Sequence, residues 1–210
     1  MKRSIYLMIG LLGVGCSSPV DDCVNPVAPT TTLAPDKTSF NQMEIDTKYT
    51  EQELEIIRDS LREWVNATGS ESAIIYATEN VVIGDGVFTE DDQRNDFGIA
   101  TMQKVSKDDP GYQSLQDQFG PNVAGAGKKG RLVITITEMF YDSDNSDSPF
   151  MSDLKTETFH VVVLHELGHF LGLSHGDGIL MRPSTKDVPD CIDQETRDSF
   201  CRIHENCVGG

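Results

Sequence analysis

Three of the chain's five histidines fall within eleven residues, HELGHFLGLSH at 165–175. His165 and His169 are four apart, so on a helix their side chains leave one face about 40° apart and one turn apart along the axis. Two imidazoles so placed can grip one ion. Zinc takes its nitrogens at about 2.0–2.1 Å and spreads them tetrahedrally, so a third ligand must reach the same point. On a continued helix His175 would stand about 9 Å beyond His169 and well round the cylinder. The helix therefore has to stop, and Gly172 is the residue that can stop it, because a residue without Cβ can take the left-handed conformation that reverses the chain. His175 then returns from the loop. Three neutral imidazoles leave a zinc ion its full charge and an open coordination position, the layout of a catalytic rather than a closed structural site. Glu166, beside the first ligand and close to that position, is placed to act as general base on a metal-activated water and to pass the proton to a departing amine. The chemistry implied is hydrolysis of peptide bonds without a covalent intermediate.

Positioning those residues requires a framework. Thr50 and Glu53 in TEQE form a capping-box pattern, and Leu54, Ile57, Leu61, Trp64 and Val65 recur at helical spacing until Gly69, which predicts an amphipathic helix. SAIIYAT and VVIGDGVF, separated by EN, read as two strands, FGIATMQKV as a third and GRLVITITEMF as a fourth. The segment SKDDPGYQSLQDQFGPNVAGAGKKG, with its glycines and prolines, reads mostly as loop. An acidic loop, YDSDNSDSP, precedes a second helix starting near Thr156 and carrying the histidine motif. The order helix, strands, helix predicts an α+β domain over residues 46–190. Of the other histidines, His160 lies five residues before His165, turned away from the metal-binding face, and reads as an ordinary half-buried side chain. His204 reads as surface or packing.

HELGHFLGLSH followed by ILMRP resembles the extended zinc signature and Met-turn of the metzincin metallopeptidases, and is most similar to their matrixin branch. The resemblance implies a twisted mixed sheet with a backing helix, an active-site helix and zinc in a cleft. It assigns the zinc ligands to His165, His169 and His175, the general base to Glu166, the helix-ending glycine to Gly172, and the methionine packed beneath the metal to Met181. Arg182 stands where matrixins have tyrosine, and Cys23, in DDCVNP, lacks the flanking residues of their inhibitory cysteine switch. The resemblance also makes Asp142, Asp144 and Asp147 a calcium candidate. Their spacing argues for a solvated acidic turn instead, because the sixth position lacks glycine and Asp153, not Glu, holds the twelfth. An extended peptide substrate is expected to pair with an edge strand, for which FGIATMQKV is the candidate.

The whole chain agrees with such a reading. A net charge of -17 over 210 residues repels phosphates and argues against nucleic acid as a partner. Lys2 and Arg3 precede an apolar run from Ile5 to Val14 that is too short for a permanent span, the layout of an export signal over residues 1–16. LLGVGCSS resembles a bacterial lipoprotein signal, which implies a lipid on Cys16 and anchoring at an outer membrane or cell surface; an ordinary secretory signal is the alternative. Residues 17–45, rich in Pro, Thr and Ser, read as a linker. Cys23, Cys191, Cys201 and Cys207 then form an even set suited to disulfides, three of them in a Cys-rich segment over 191–210, with the pairing open. The reading is an exported, monomeric zinc endopeptidase acting on protein or peptide. Its rivals are a non-catalytic zinc-binding surface lipoprotein and a zinc amidase acting on cell-wall peptides.

Overall fold

The computed structural model describes residues 23–25, 42–83, 100–130, 132–136, 154–184, 188–204 and 207. The export signal with Cys16, most of the linker, the acidic loop with Asp142, Asp144, Asp147 and Asp153, and residues 185–187 lie outside the described residues.

The first helix, α1 (Glu51–Thr68), forms as its sequence predicts. The Thr50 hydroxyl accepts from the Glu53 amide, the Glu53 carboxylate accepts from the Thr50 amide, and Gly69 closes the far end in a left-handed conformation. Leu54, Ile57 and Trp64 are fully buried, while Leu61 and Val65 are half-buried at the margin of the same stripe. Glu53 does double duty. Its carboxylate, wholly buried, also takes two hydrogen bonds from Lys104 at 2.9 and 2.8 Å, so the charge is neutralised where it lies.

Among the described residues, five strands make one sheet in the order β2-β1-β3-β5-β4, where β1 is Gln42–Asp46, β2 Tyr76–Val81, β3 Ala100–Lys104, β4 Gly125–Lys128 and β5 Leu132–Thr135. All neighbours run parallel except β4 and β5. Because side chains alternate along each strand, Met43, Ile45, Ala100, Met102 and Val133 share one face and enter the main core beneath α1 and the histidine helix. Val105, Leu115, Val123 and Ile136 form a smaller cluster.

Four expectations are corrected. Residues 42–45, expected to end the linker, form most of β1, which pairs with β2 on one side and β3 on the other. Glu79 and Asn80 do not separate two strands: β2 runs through them, with Asn80 at φ 59° absorbed by a shift of register opposite Ile45. FGIATMQKV does not supply an edge, since β3 is hydrogen-bonded to β1 on one side and β5 on the other. The stretch read as loop contains both α2 (Pro110–Phe119) and β4, and β4 is the strand at the sheet's end.

Two further helices complete the domain. α3 (Thr156–Phe170) carries the histidine motif and packs against α1, β4 and β5. α4 (Gln194–Ile203) lies in the segment expected to be a cysteine-tied tail; Asp193 caps it by accepting from the Thr196 amide. Two disulfides join Cys23 to Cys191 and Cys201 to Cys207, the first tying the N-terminal tail to the chain leading into α4. Val24 donates its amide to the Ile192 carbonyl beside that link. Among the described residues no helix is long and apolar enough to cross a membrane.

Candidate metal centre

α3 ends as the sequence requires. The Leu173 amide donates to the Gly168 carbonyl at 2.9 Å and the Gly172 amide to that of His169 at 3.0 Å, the paired bonds of a Schellman ending, with Gly172 at φ 104°. An L side chain at that φ is strained, so the reversal that brings His175 back depends on glycine. The three imidazoles converge: ring centroids are 4.7, 4.8 and 5.4 Å apart, and one ligand nitrogen from each of His165, His169 and His175 lies within 4.8 Å of the other two. His165 is buried, His169 half-buried and His175 exposed, so the site is open on one side.

The rings are held in a ligating state. His165 Nδ1 donates to the Leu180 carbonyl at 2.7 Å and His169 Nδ1 to that of Leu173 at 2.9 Å, which leaves each Nε2 as a lone-pair donor. Burial, reinforced by the neighbouring imidazoles and only partly offset by the bond to Leu180, brings the His165 pKa down to about 4. Burial likewise lowers that of His169 against the bond to Leu173. Both rings are neutral at pH 7, as metal ligation demands.

Glu166 is 6% exposed, and among the described residues its Oε2 is the one buried side-chain polar atom without a hydrogen-bond partner. Burial pushes its carboxyl up to about 8. A buried carboxyl with nothing to bond is costly, and next to His165 in the chain, facing Gly127 together with His169, it fits a site built to receive a cation and a polar reactant. β4 passes directly over it. A Cβ on Gly127 would come within 2.5 Å of the Glu166 carbonyl oxygen, 2.7 Å of His169 Cβ and 3.1 Å of Glu166 Oε2, so only glycine lets the strand approach this closely.

The floor joins Met181, which the resemblance assigns, to Asp193, which the motif does not reveal. Met181 is fully buried and fills the space that Gly168 leaves open. Asp193, 1% exposed, accepts from the amides of Ile179 at 3.3 Å and Leu180 at 2.8 Å and from the Thr196 hydroxyl at 2.6 Å, in addition to capping α4. It thus fixes, through the Leu180 amide, the residue whose carbonyl holds His165. The available signal was the Asp-x-x-Thr spacing at Asp193 and Thr196, a helix start hidden among cysteines. His160 lies away from the centre, as its spacing predicts: Nδ1 meets Asp190 at 2.6 Å and Nε2 meets Glu63 at 3.2 Å. Burial works to lower its pKa, but the two carboxylates outweigh that and hold it up to about 9.

An HExxH helix whose third histidine returns through a glycine reversal, packed on a mixed sheet, has the layout of a zinc metallopeptidase. Residues 73–208, more than half of the chain, match the sequence profile of peptidase family M54, and the chain belongs to that family, the archaemetzincins, which are zinc metallopeptidases. The match supports the metallopeptidase reading but not the matrixin branch. The eleven signature residues supply three histidines that could hold an ion, and chains that differ elsewhere can share that pattern. Comparison with curated proteins gives no significant match.

Proposed function

We propose that the protein is a zinc-dependent endopeptidase in which His165, His169 and His175 hold the ion and Glu166 is the general base. The observation that carries this reading is the unpartnered, buried Oε2 of Glu166 beside the histidine cluster. Metal affinity needs only the imidazoles, so a non-catalytic zinc binder has no use for an acid kept there at such cost. When bound, zinc supplies a Lewis acid that polarises a carbonyl and makes water acidic.

The protein's own groups do the rest. The Leu180 and Leu173 carbonyls keep His165 and His169 in the ligating tautomer. Next to a cation Glu166 is ionised at lower pH than burial alone allows, so its carboxylate takes a proton from the attacking water and returns it to the leaving amine. β4 is antiparallel, lies at the end of the sheet and sits over Glu166, which makes it the strand along which an extended peptide would align in place of β3. Protein or peptide is the substrate class. We further propose that the chain is exported, monomeric, and anchored through a lipid on Cys16.

The test is cleavage of an internally quenched peptide by zinc-loaded wild type and Glu166→Ala. Loss of a positioned general base should lower the rate by about 10²–10⁴-fold. Equal rates would remove the catalytic role of Glu166. Incubation with peptidoglycan and with casein separates a peptidase from a cell-wall amidase.

A further inference from the structure

Three aromatic rings stand in a column beside the histidine helix. Trp64 of α1 lies 5.8 Å from Phe200 of α4, centroid to centroid, and Phe200 stacks on His204 at 4.4 Å with the planes 29° apart. The two outer rings each give an N–H to the backbone of the metal-binding stretch. Trp64 Nε1 donates to the Leu164 carbonyl at 3.2 Å, one residue before His165. His204 Nε2 donates to the Leu171 carbonyl at 2.7 Å, two residues after His169 and directly before Gly172. The last carbonyls of a helix have no partner within it and must find one elsewhere. At Leu171 that partner is a ring on the residue that caps the end of a different helix, α4.

We propose that His204 is a positioning residue for the metal centre: by holding the Leu171 carbonyl it fixes the peptide from which Gly172 turns the chain back, and so sets where His175 stands. The inference rests on the zinc reading above. His175, the exposed member of the triad, follows this turn by three residues. Its convergence on the other two rings depends on the turn keeping one geometry. His204 is itself fixed at both ends. Its amide donates to the Phe200 carbonyl at the close of α4, and Cys201, one turn earlier on the helix, is bonded to Cys207.

The test measures zinc affinity of the full chain by competition with a chromophoric chelator, alongside the melting temperature of the metal-free protein. His204→Phe keeps a ring on Phe200 but has no N–H to give; His204→Gln keeps a donor. Outer partners of metal sites are typically worth about 10–100-fold in affinity, so His204→Phe should raise the zinc Kd about 10-fold while the metal-free melting temperature stays near that of wild type. His204→Gln should recover most of the loss. Wild-type affinity in His204→Phe, or equal weakening in both variants, overturns the proposal. If His204→Phe does not fold, Cys201→Ser combined with Cys207→Ser releases the end of α4 and should raise the Kd several-fold; an unchanged Kd overturns the proposal in that case. A wild-type chain that takes up no zinc defeats both this inference and the reading beneath it, whereas tight wild-type binding with indifferent variants defeats only this one.

Discussion

α3 bears two histidines five residues apart with opposite electrostatic characters. His165, on the face turned to the reaction, is buried against a carbonyl and two other imidazoles, and its pKa falls to about 4. His160, on the face turned to α1 and the chain entering α4, lies between Glu63 and Asp190 and is held up to about 9. One is neutral and ready to give a lone pair; the other is a cation that ties three parts of the chain together. Residue type and helix are the same, so the neighbours alone decide the role. A carbonyl acceptor in a dry setting makes a ligand, and two carboxylates make a clasp.

The metal face should give the larger effects. Chelation of zinc, or His169→Ala, removes several kcal/mol of transition-state stabilisation, so peptide cleavage should fall by about 10³-fold or more. Readdition of zinc should restore wild type and leave His169→Ala inactive. A variant that recovers with zinc would break the ligand assignment. Gly127→Ala forces β4 away from Glu166 and His169, with about 1–3 kcal/mol of overpacking and about a 10²-fold loss of rate; chemical denaturation and peptide kinetics read the two effects. Full activity in that variant would show that the close approach of β4 is dispensable.

Two smaller effects sharpen the contrast through pH. Burial raises the metal-free Glu166 carboxyl from its ordinary 4.5 to about 8. The folded state therefore binds this proton more tightly than the unfolded chain, and metal-free stability is lost as pH rises from about 4.5 through about 8. Glu166→Gln should flatten that slope and stabilise the metal-free protein by up to about 4 kcal/mol at pH 8, measured by urea unfolding. His160 is raised from 6.5 to about 9, so its contribution is complete below about 6.5 and disappears as pH rises through about 9. With water screening the open side of the clasp, His160→Ala should cost about 1 kcal/mol at pH 6, less at pH 10, and leave the zinc Kd unchanged. A shift in zinc affinity would show that the two faces are coupled.

The parts legible in the sequence are those governed by local rules. The capping box at Thr50 and Glu53, the stop at Gly69, the start of α3 at Thr156 and the reversal at Gly172 each depend on a few consecutive residues, and each appears where its pattern predicts. β4 was not legible, because Gly125-Ala126-Gly127-Lys128 has poor intrinsic strand propensity. Its composition answers to Glu166 and His169, nearly forty residues downstream, which leave no room for a side chain at Gly127. α2 went unread beside it, although Pro110 at the first helical turn after Asp109 is a start signal. Strand order was equally hidden: nothing within FGIATMQKV tells a central strand from an edge, since pairing on both sides is decided by β1 and β5. The triad could be read because it is contiguous. Asp193, which supports it from another element, could not.

If Cys16 carries the lipid proposed above, the Cys23–Cys191 bond would set the radius of action of the enzyme. Without it, a chain held by Cys16 would be free from there to the first strand at Gln42, 26 residues that stretch to about 90 Å. With it, the leash would be the seven residues from Cys16 to Cys23, about 25 Å at full extension, because the bond ties Cys23 to the domain at Cys191. Such an enzyme would work on what lies against the membrane and would be released to patrol farther out only by a reductant.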